Sequence, residues 1–137
     1  GQIRHGYRWT ELVDSREIVV SARLRLARAP RARIEEKARA VTVRRAGALP
    51  SEPNAGSVFK NPPGDHAGRL IEACGLKGMR RGGAAISTRH ANVIVNDAGA
   101  RAADVLELMV LARDRVKDRF GVTLSPEVEL LGIEWPA

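Results

Sequence analysis

The sequence predicts an α+β fold. One observation indicates the order of helices and strands, and two others indicate an ordinary globular domain without a disulfide or zinc scaffold. Segments with the helical period and segments with the strand period follow one another irregularly, unlike the repeated strand–helix units of a parallel sheet. The chain has 137 residues, of which 44% are hydrophobic, as in globular domains. Its single cysteine, Cys74, excludes a disulfide framework and a cysteine-based zinc site. We therefore expect one domain, or one domain with a piece of another.

The N-terminal third is predicted to contain one strand and one helix. Residues 17–26 (EIVVSARLRL) alternate between apolar side chains and a second face that includes Arg23 and Arg25, as in a half-buried strand. Pro30 then starts a helix that we predict over residues 31–45. The first residues show neither an initiator methionine nor a clear element, so we expect this chain to be a piece of a longer one.

The best internal boundary lies just after this helix. Residues 46–54 (AGALPSEPN) are rich in glycine, proline and asparagine, a composition typical of a connector. We therefore predict two parts. Residues 1–45 form the end of a preceding domain with a linker helix, and residues 46–137 form a complete α+β domain.

The middle of the chain is predicted to contain short strands around one helix. A strand is expected over residues 56–60, and strands over 84–87 and 92–96 follow a glycine-punctuated loop at 75–83. Between them, Gly75 ends a helix. That helix has apolar residues at i, i+3, i+4 and i+7, namely Ala67, Leu70, Ile71 and Cys74.

The last helix is the most clearly predicted element. Asp104 and Glu107 resemble a capping box at its start, and Gly121 ends it. Its buried face is predicted to consist of Val105, Leu108, Met109, Ala112, Val116 and Phe120. Two terminal strands are expected after it, over residues 122–124 and 128–133.

The net charge leaves the partner open. The chain carries +7, and arginine supplies 19 of its 23 basic residues. Residues 1–50 hold 12 basic and 5 acidic groups, so their excess equals that of the whole chain. Such a segment could bind nucleic acid or small anionic substrates, although five aromatic residues are too few for a base-stacking platform. The sequence has no run of about 18 apolar residues, so it predicts no transmembrane helix.

Local motifs alone point to no particular chemistry. The loop at 75–83 lacks both standard phosphate-binding glycine fingerprints, although its glycines flank Arg80 and Arg81. An anion site and a solvated surface turn both remain open there. The histidines are scattered without metal-ligand spacing, so we predict no metal site. Ser57 does not lie in a G-x-S-x-G elbow, and local spacing cannot bring it to Glu127.

Six segments, taken in order, resemble the C-terminal domain of the UDP-N-acetylenolpyruvoylglucosamine reductases. They are the Tyr7-Arg8 pair, AGSVFKNP (55–62), AGRLIEACGLKG (67–78), GGAAISTRHANVIVN (82–96), DVLEL (104–108) and PEVELLG (126–132). Each segment is short, but their common order and spacing are specific. The resemblance covers nearly the whole chain. The compact connector between Arg45 and Gly56 is similar to that of the shorter of the family's two types.

The resemblance implies a cytoplasmic enzyme of peptidoglycan precursor synthesis. In this family NADPH reduces FAD, and the reduced flavin reduces UDP-N-acetylglucosamine enolpyruvate to UDP-N-acetylmuramate. The chain would be the C-terminal substrate-binding domain plus a strand and helix from the end of the FAD-binding domain. Its partner would be the N-terminal FAD-binding region of the same protein. We expect a monomer without a nucleic acid or membrane partner.

Three catalytic positions of the family fall on matching residues. Arg8 would stabilise the charge that develops on the substrate carboxylate, because hydride addition creates an enolate there. Ser57 would donate the proton that completes the reduction. Glu127 would hydrogen-bond the charged intermediate. Asn61 and His90 lie at positions that resemble the family's diphosphate site, and Lys60, Arg80 and Arg81 could neutralise the same phosphates. Tyr7 of the Tyr-Arg pair is also expected to bind substrate.

One position departs from the family pattern. Glu129 lies where the family often has arginine, so another basic residue must supply any diphosphate contact from that position. Two other functions are kept as alternatives. A nucleotide-sugar binding domain without redox activity predicts affinity for UDP-sugars alone, and a basic nucleic-acid-binding module predicts binding that weakens steeply with salt.

Overall fold

A computed structural model describes residues 3–13, 15 and 17–135, and the chain divides into two compact units, Gly1–Arg39 and Ala40–Ala137. In the first unit, strands β1 (His5–Gly6) and β2 (Trp9–Thr10) pair as an antiparallel hairpin. An ion pair of 2.8 Å between Arg4 Nε and Glu11 Oε2 closes the base of this hairpin. The first unit therefore begins with a hairpin that periodicity did not predict.

The strand predicted over residues 17–26 is wrong. These residues have no regular secondary structure, and Ile18 and Val20 are 85% and 91% exposed. A strand needs a neighbour to pair its backbone groups, and among the described residues no other strand pairs with this segment. The fold class holds without it, since the described part combines helices with antiparallel sheets.

Helix α1 spans Arg31–Ala48. It begins where Pro30 predicted, and it ends three residues later than expected. Its apolar residues Ile34 and Val41 are 53% and 41% exposed, so neither is buried in a hydrophobic core. On the exposed surface of this helix, Arg31 Nε and Glu35 Oε1 form an i,i+4 ion pair of 2.6 Å.

The second unit is built on a four-stranded antiparallel sheet. Its strands are β3 (Asn54–Ser57), β4 (Arg80–Arg81), β5 (Ala84–Ile86) and β6 (Val93–Asn96), arranged in the order β3-β6-β5-β4. The glycine-punctuated loop therefore contains a short edge strand. Strand β3 ends at Ser57, three residues before the predicted limit of residue 60.

Two helices pack around this sheet. Helix α2 (Ala67–Ala73) and helix α3 (Ala102–Phe120) confirm the helices that the apolar spacing predicted. Two residues of the predicted buried face of α3 differ, since Phe120 is 37% exposed and Val105 is only partly buried. They share one hydrophobic core with the sheet, whose largest fully buried side chains are Phe59, Leu70, Ile71, Ile86, Leu108, Met109, Leu124 and Val116. A second, smaller cluster consists of Ala85, Val93 and Val95. Within the described ranges, no helix has the length and apolarity needed to cross a membrane.

The two terminal strands predicted after α3 are also wrong. The described residues after α3 form one isolated bridge, in which Pro126 lies opposite Phe59. Lys60 N–H donates to the Ser125 carbonyl, and Glu127 N–H donates to the Val58 carbonyl, at 2.9 and 2.8 Å. These two bonds flank the Phe59–Pro126 pair, and within the described residues the pairing does not extend beyond it.

Candidate functional site

A polar cavity of about 340 Å³ opens in the second unit. It lies between the end of β3, the first turns of α2 and the segment before β6. Three predicted site residues, Ser57, Asn61 and His90, line it together. The remaining lining residues are His66, Gly68, Arg69, Glu72, Arg89, Ala91 and Asn92. The fold thus brings together polar side chains that are spread over more than thirty residues of sequence.

Ser57 is the last residue of β3, and the preceding turn fixes its backbone. Gly56 has a φ of 80°, in the left-handed region, and the β3–β6 register shifts between Asn54 and Ser57. The Asn54 side chain accepts a hydrogen bond from Gly56 N–H at 2.9 Å and donates to the Glu52 carbonyl at 2.7 Å. Ser57 therefore follows a bulge that local hydrogen bonds hold in place.

Asn92 was not predicted as a functional residue, yet it holds the segment after Ser57. Its Oδ1 accepts from Phe59 N–H at 3.0 Å, and its Nδ2 donates to the Phe59 carbonyl at 2.8 Å. The side chain is buried, with the residue 3% exposed. In the sequence, Asn92 directly precedes an apolar strand segment (VIV), a position that carries no local signal of these bonds.

Glu127 lies beside the Ser57 segment although 70 residues separate the two in sequence. The bridge between Phe59 and Pro126 and the bond from Glu127 N–H to the Val58 carbonyl bring the two backbones together. Glu127 is half-buried. This proximity of the two backbones could not be obtained from local spacing and was implied by the family resemblance alone. Glu127 is not among the described residues that line the cavity.

Asn61 and His90 are held by specific hydrogen bonds at the cavity. Asn61 Oδ1 accepts from the N–H of Ala67, the first residue of α2, at 3.1 Å. His90 Nδ1 accepts from Asn92 N–H at 3.3 Å. In the neutral imidazole this bond leaves the ring proton on Nε2, so His90 retains a donor.

The cavity contains two arginines in different electrostatic settings. Arg69 forms a bidentate ion pair with Asp65, and this hydrogen bond is the main reason that the pKa of Asp65 falls to about 2. Arg89 instead donates Nη1 to the carbonyls of Ala46 and Leu49, at 3.2 and 3.4 Å. Within the described part of the chain no carboxylate forms an ion pair with Arg89.

The structure does not bring the other predicted phosphate contacts to this cavity. Arg80 and Arg81 lie on β4, the sheet edge opposite β3. Arg80 pairs with Asp97 through bonds of 2.8 and 2.6 Å, and Arg81 pairs with Glu107 at 3.6 Å. Lys60 has an exposed side chain and is not among the described lining residues.

Tyr7 and Arg8 belong to the first unit, in the turn of the β1–β2 hairpin. Arg8 has a φ of 54°, a left-handed conformation that is uncommon outside glycine. Its guanidinium carbon lies 5.8 Å from the centroid of the Tyr7 ring, within cation–π range. That these two residues act together with Ser57 and Glu127 remains a prediction.

The cavity fits a polar, anionic ligand and does not fit a flavin. Among the described residues that line it none is Phe, Tyr or Trp, whereas a flavin ring needs extensive apolar or aromatic walls. Arg89 and the donors of Asn61 and His90 suit a phosphate or carboxylate instead. The described residues also contain no cluster of three groups able to hold a metal ion.

Comparisons with known proteins show which family the chain resembles. Residues 48–131 match the family described as UDP-N-acetylenolpyruvoylglucosamine reductase, C-terminal domain. A reductase of that name from Chloroflexus aurantiacus is 51% identical over 114 residues, 83% of this chain and 38% of the relative. The UDP-N-acetylenolpyruvoylglucosamine reductase 2 of Symbiobacterium thermophilum is 50% identical over 133 residues, 96% of this chain and 43% of the relative.

A solved structure shows the same similarity. The crystal structure of the UDP-N-acetylenolpyruvylglucosamine reductase (MurB) from Thermus caldophilus superposes with a TM-score of 0.66 at 45% identity. The match covers 83% of this chain and 39% of that one. The chain therefore spans about two fifths of the length of the relatives that it matches.

Proposed function

The chain belongs to the UDP-N-acetylenolpyruvoylglucosamine reductase family through its C-terminal domain, and from this premise we propose that it is the substrate-binding part of such a reductase. The reaction reduces UDP-N-acetylglucosamine enolpyruvate to UDP-N-acetylmuramate for peptidoglycan synthesis in the cytoplasm. One observation carries the proposal: Ser57, Asn61 and His90 meet in one polar cavity, with Glu127 beside the Ser57 segment.

The cofactors belong to the part of the protein that precedes this domain in its relatives. FAD, reduced by NADPH, supplies the hydride when bound to that N-terminal region. The present chain contributes groups that bind the UDP-sugar and complete the reduction. We propose that it works with that region as a monomer, and that nucleic acids and membranes are not its partners.

Ser57 is proposed as the proton donor. Addition of hydride to one vinyl carbon leaves negative charge on the neighbouring carbon and its carboxylate. A hydroxyl is a weak acid, but a carbanionic centre is a strong base, so a serine within hydrogen-bond reach can protonate it. The bulge at Gly56 and the Asn92 bonds to Phe59 keep this serine in a fixed backbone position.

The remaining residues are proposed to bind charge. Arg8 would bind the substrate carboxylate, where stabilising a developing charge typically contributes about 3–4 kcal/mol to catalysis. Glu127 would hydrogen-bond the intermediate. Asn61 and His90 would contact the diphosphate, together with Arg89, which forms no ion pair with a described carboxylate. Arg89 would thereby supply the cation that Glu129 does not.

The test uses a fusion in which this chain replaces the matching C-terminal 43% of the Symbiobacterium thermophilum relative. We expect the fusion to bind flavin and to oxidise NADPH when UDP-N-acetylglucosamine enolpyruvate is present. Replacement of Ser57 by alanine should lower substrate reduction by about 10²–10⁴-fold, the usual contribution of a positioned acid. Bleaching of the flavin by NADPH should continue.

The matched control is Ser51→Ala, which removes an exposed hydroxyl of the connector. It should leave both half-reactions unchanged. A folded, flavin-loaded fusion that binds UDP-sugars without reducing the enolpyruvate would favour the binding-domain alternative. Tight binding of duplex or single-stranded nucleic acid, with a steep salt dependence, would favour the nucleic-acid alternative.

A further inference from the structure

Asn92 acts as an extra rung of the sheet at the point where regular pairing ends. Strand β3 ends at Ser57, and β6 begins at Val93, one residue after Asn92. The Asn92 carbonyl accepts from Val58 N–H at 2.9 Å, and its side chain bonds both the N–H and the carbonyl of Phe59. Three hydrogen bonds from one residue thus fix the two residues that follow Ser57.

Burial makes these bonds decisive for the segment. Asn92 is 3% exposed, Val58 is 3% exposed and Phe59 is 1% exposed, so water cannot replace a lost partner. An unpaired buried donor or acceptor loses its full solvation, and the backbone relaxes to recover a partner. Any such relaxation moves the backbone next to Ser57.

The same residue also orients His90. The Asn92 N–H donates to His90 Nδ1 at 3.3 Å, while the Ser87 hydroxyl oxygen accepts from His90 N–H at 3.4 Å. We propose that Asn92 is a positioning residue that fixes Ser57 and His90 relative to each other across the cavity. The inference rests on the proposed function, since it assigns Asn92 to the proton-transfer step.

The test is Asn92→Asp in the fusion protein, because it changes one donor and almost no volume. An ionised carboxylate can accept from Phe59 N–H but cannot donate to the Phe59 carbonyl. Protonation restores that donor, and burial raises the pKa of a carboxyl at such a site. We expect substrate reduction, relative to wild type, to be lowered about a hundredfold at pH 8 and to recover about tenfold or more by pH 6.

The matched control is Asn96→Asp, at the other end of β6. Asn96 Oδ1 accepts from Ala100 N–H at 2.8 Å, a role that a carboxylate keeps at every pH. The rate of substrate reduction by this variant, relative to wild type, should not change between pH 8 and pH 6. Flavin bleaching by NADPH and the Kd for UDP-N-acetylglucosamine should change less than twofold in Asn92→Asp at pH 6, which separates positioning from general loss of structure.

A second variant and a second measurement keep the inference testable if Asn92→Asp unfolds at pH 8. Asn92→Ser is smaller and neutral, and it should slow substrate reduction at least tenfold while flavin bleaching stays within twofold. Hydrogen exchange of the Phe59 amide should accelerate in both variants. Equal loss of both half-reactions, or an unchanged rate of substrate reduction, overturns the positioning role. An inactive wild-type fusion overturns the proposed function instead, and the Phe59 exchange then reports on the Asn92 bonds alone.

Discussion

At the scale of single residues, Gly56 shows how a backbone conformation serves the site. Its φ of 80° produces the bulge that precedes Ser57, and a Cβ added there would meet no atom within 4 Å. The space around Gly56 would admit a side chain, so steric crowding is not the reason for glycine. The reason is the left-handed backbone, which residues with a Cβ adopt at a cost.

We predict that Gly56→Ala lowers the free energy of unfolding by about 1–2 kcal/mol, the strain of a left-handed alanine. Chemical denaturation of the chain measures the change. Gly47→Ala is the matched control, because Gly47 lies in α1 with an equally open Cβ direction and no positive φ. It should raise stability by about 0.5–1 kcal/mol through helix propensity. Changes of the same sign at both glycines would contradict this account.

At the scale of elements, Asp104 ties α3 to the sheet. The sequence predicted Asp104 as the residue that caps the helix, but it is the third residue of α3. Its Oδ2 accepts a hydrogen bond from Arg101 N–H at 2.9 Å. Hydrogen bonds from the backbone N–H groups of Arg101 and Gly83 lower the pKa of this carboxyl. Gly83 precedes β5, so one carboxylate serves both the helix start and the strand hairpin.

We predict that Asp104→Asn lowers the melting temperature by about 4–8 °C at pH 7, as the loss of one helix cap does in a small domain. In the variant, the amide oxygen accepts a hydrogen bond from one of the two backbone N–H groups. The amide nitrogen is itself a donor and cannot accept from the other N–H group. Because folding lowers the pKa of Asp104, its stabilisation is present above the ordinary value near 4 and is lost as pH falls below it. The difference between variant and wild type should therefore shrink below pH 4.

Asp118→Asn is the control on the same helix. Asp118 is exposed near the C-terminal end of α3, where a negative charge is unfavourable, so its removal should leave the melting temperature unchanged or slightly raised. A melting difference for Asp104→Asn that persists undiminished at pH 3 would show that the carboxylate charge is not responsible.

The elements that the sequence predicted correctly are those with their own local signals. Helices α2 and α3 carry apolar spacing and a glycine stop, and both form. The strand at 17–26 had the right alternation, but a strand depends on a partner elsewhere, and periodicity carries no information about that partner. The strands predicted over residues 122–124 and 128–133 failed for the same reason, since this segment finds a pairing partner at the Phe59–Pro126 bridge alone within the described residues.

The site was less predictable than the helices because it depends on contacts far apart in sequence. Ser57, Asn61 and His90 were placed by family resemblance, and the cavity brings them together. Asn92 was missed, because a lone asparagine before a strand has no local signature of its bonds to Phe59, 33 residues away. Arg80 and Arg81 stood out locally, yet the sheet order puts them on the edge opposite Ser57.

At the scale of the whole molecule, the placement of charge matters more than its amount. The net charge of +7 equals the excess of residues 1–50 alone, where arginines such as Arg25 are exposed. The cavity lies in the second unit and holds Arg69, which Asp65 neutralises, and Arg89, which is bonded to neutral carbonyls. If net charge attracts anions, replacing any exposed arginine should weaken binding equally. If a specific diphosphate site binds them, only an arginine in the cavity should matter.

We predict that Arg89→Gln raises the Kd of the fusion protein for UDP-N-acetylglucosamine about tenfold, the loss of one charge-assisted hydrogen bond to phosphate. Affinity for uridine, which has no phosphate, should change less than twofold. Arg25→Gln removes the same unit of charge from the first unit and should alter neither affinity. Calorimetric titration at 0.15 M salt measures all of these, since long-range attraction is largely screened there. Equal weakening by the two substitutions would mean that net charge, and not the cavity, recruits the nucleotide sugar.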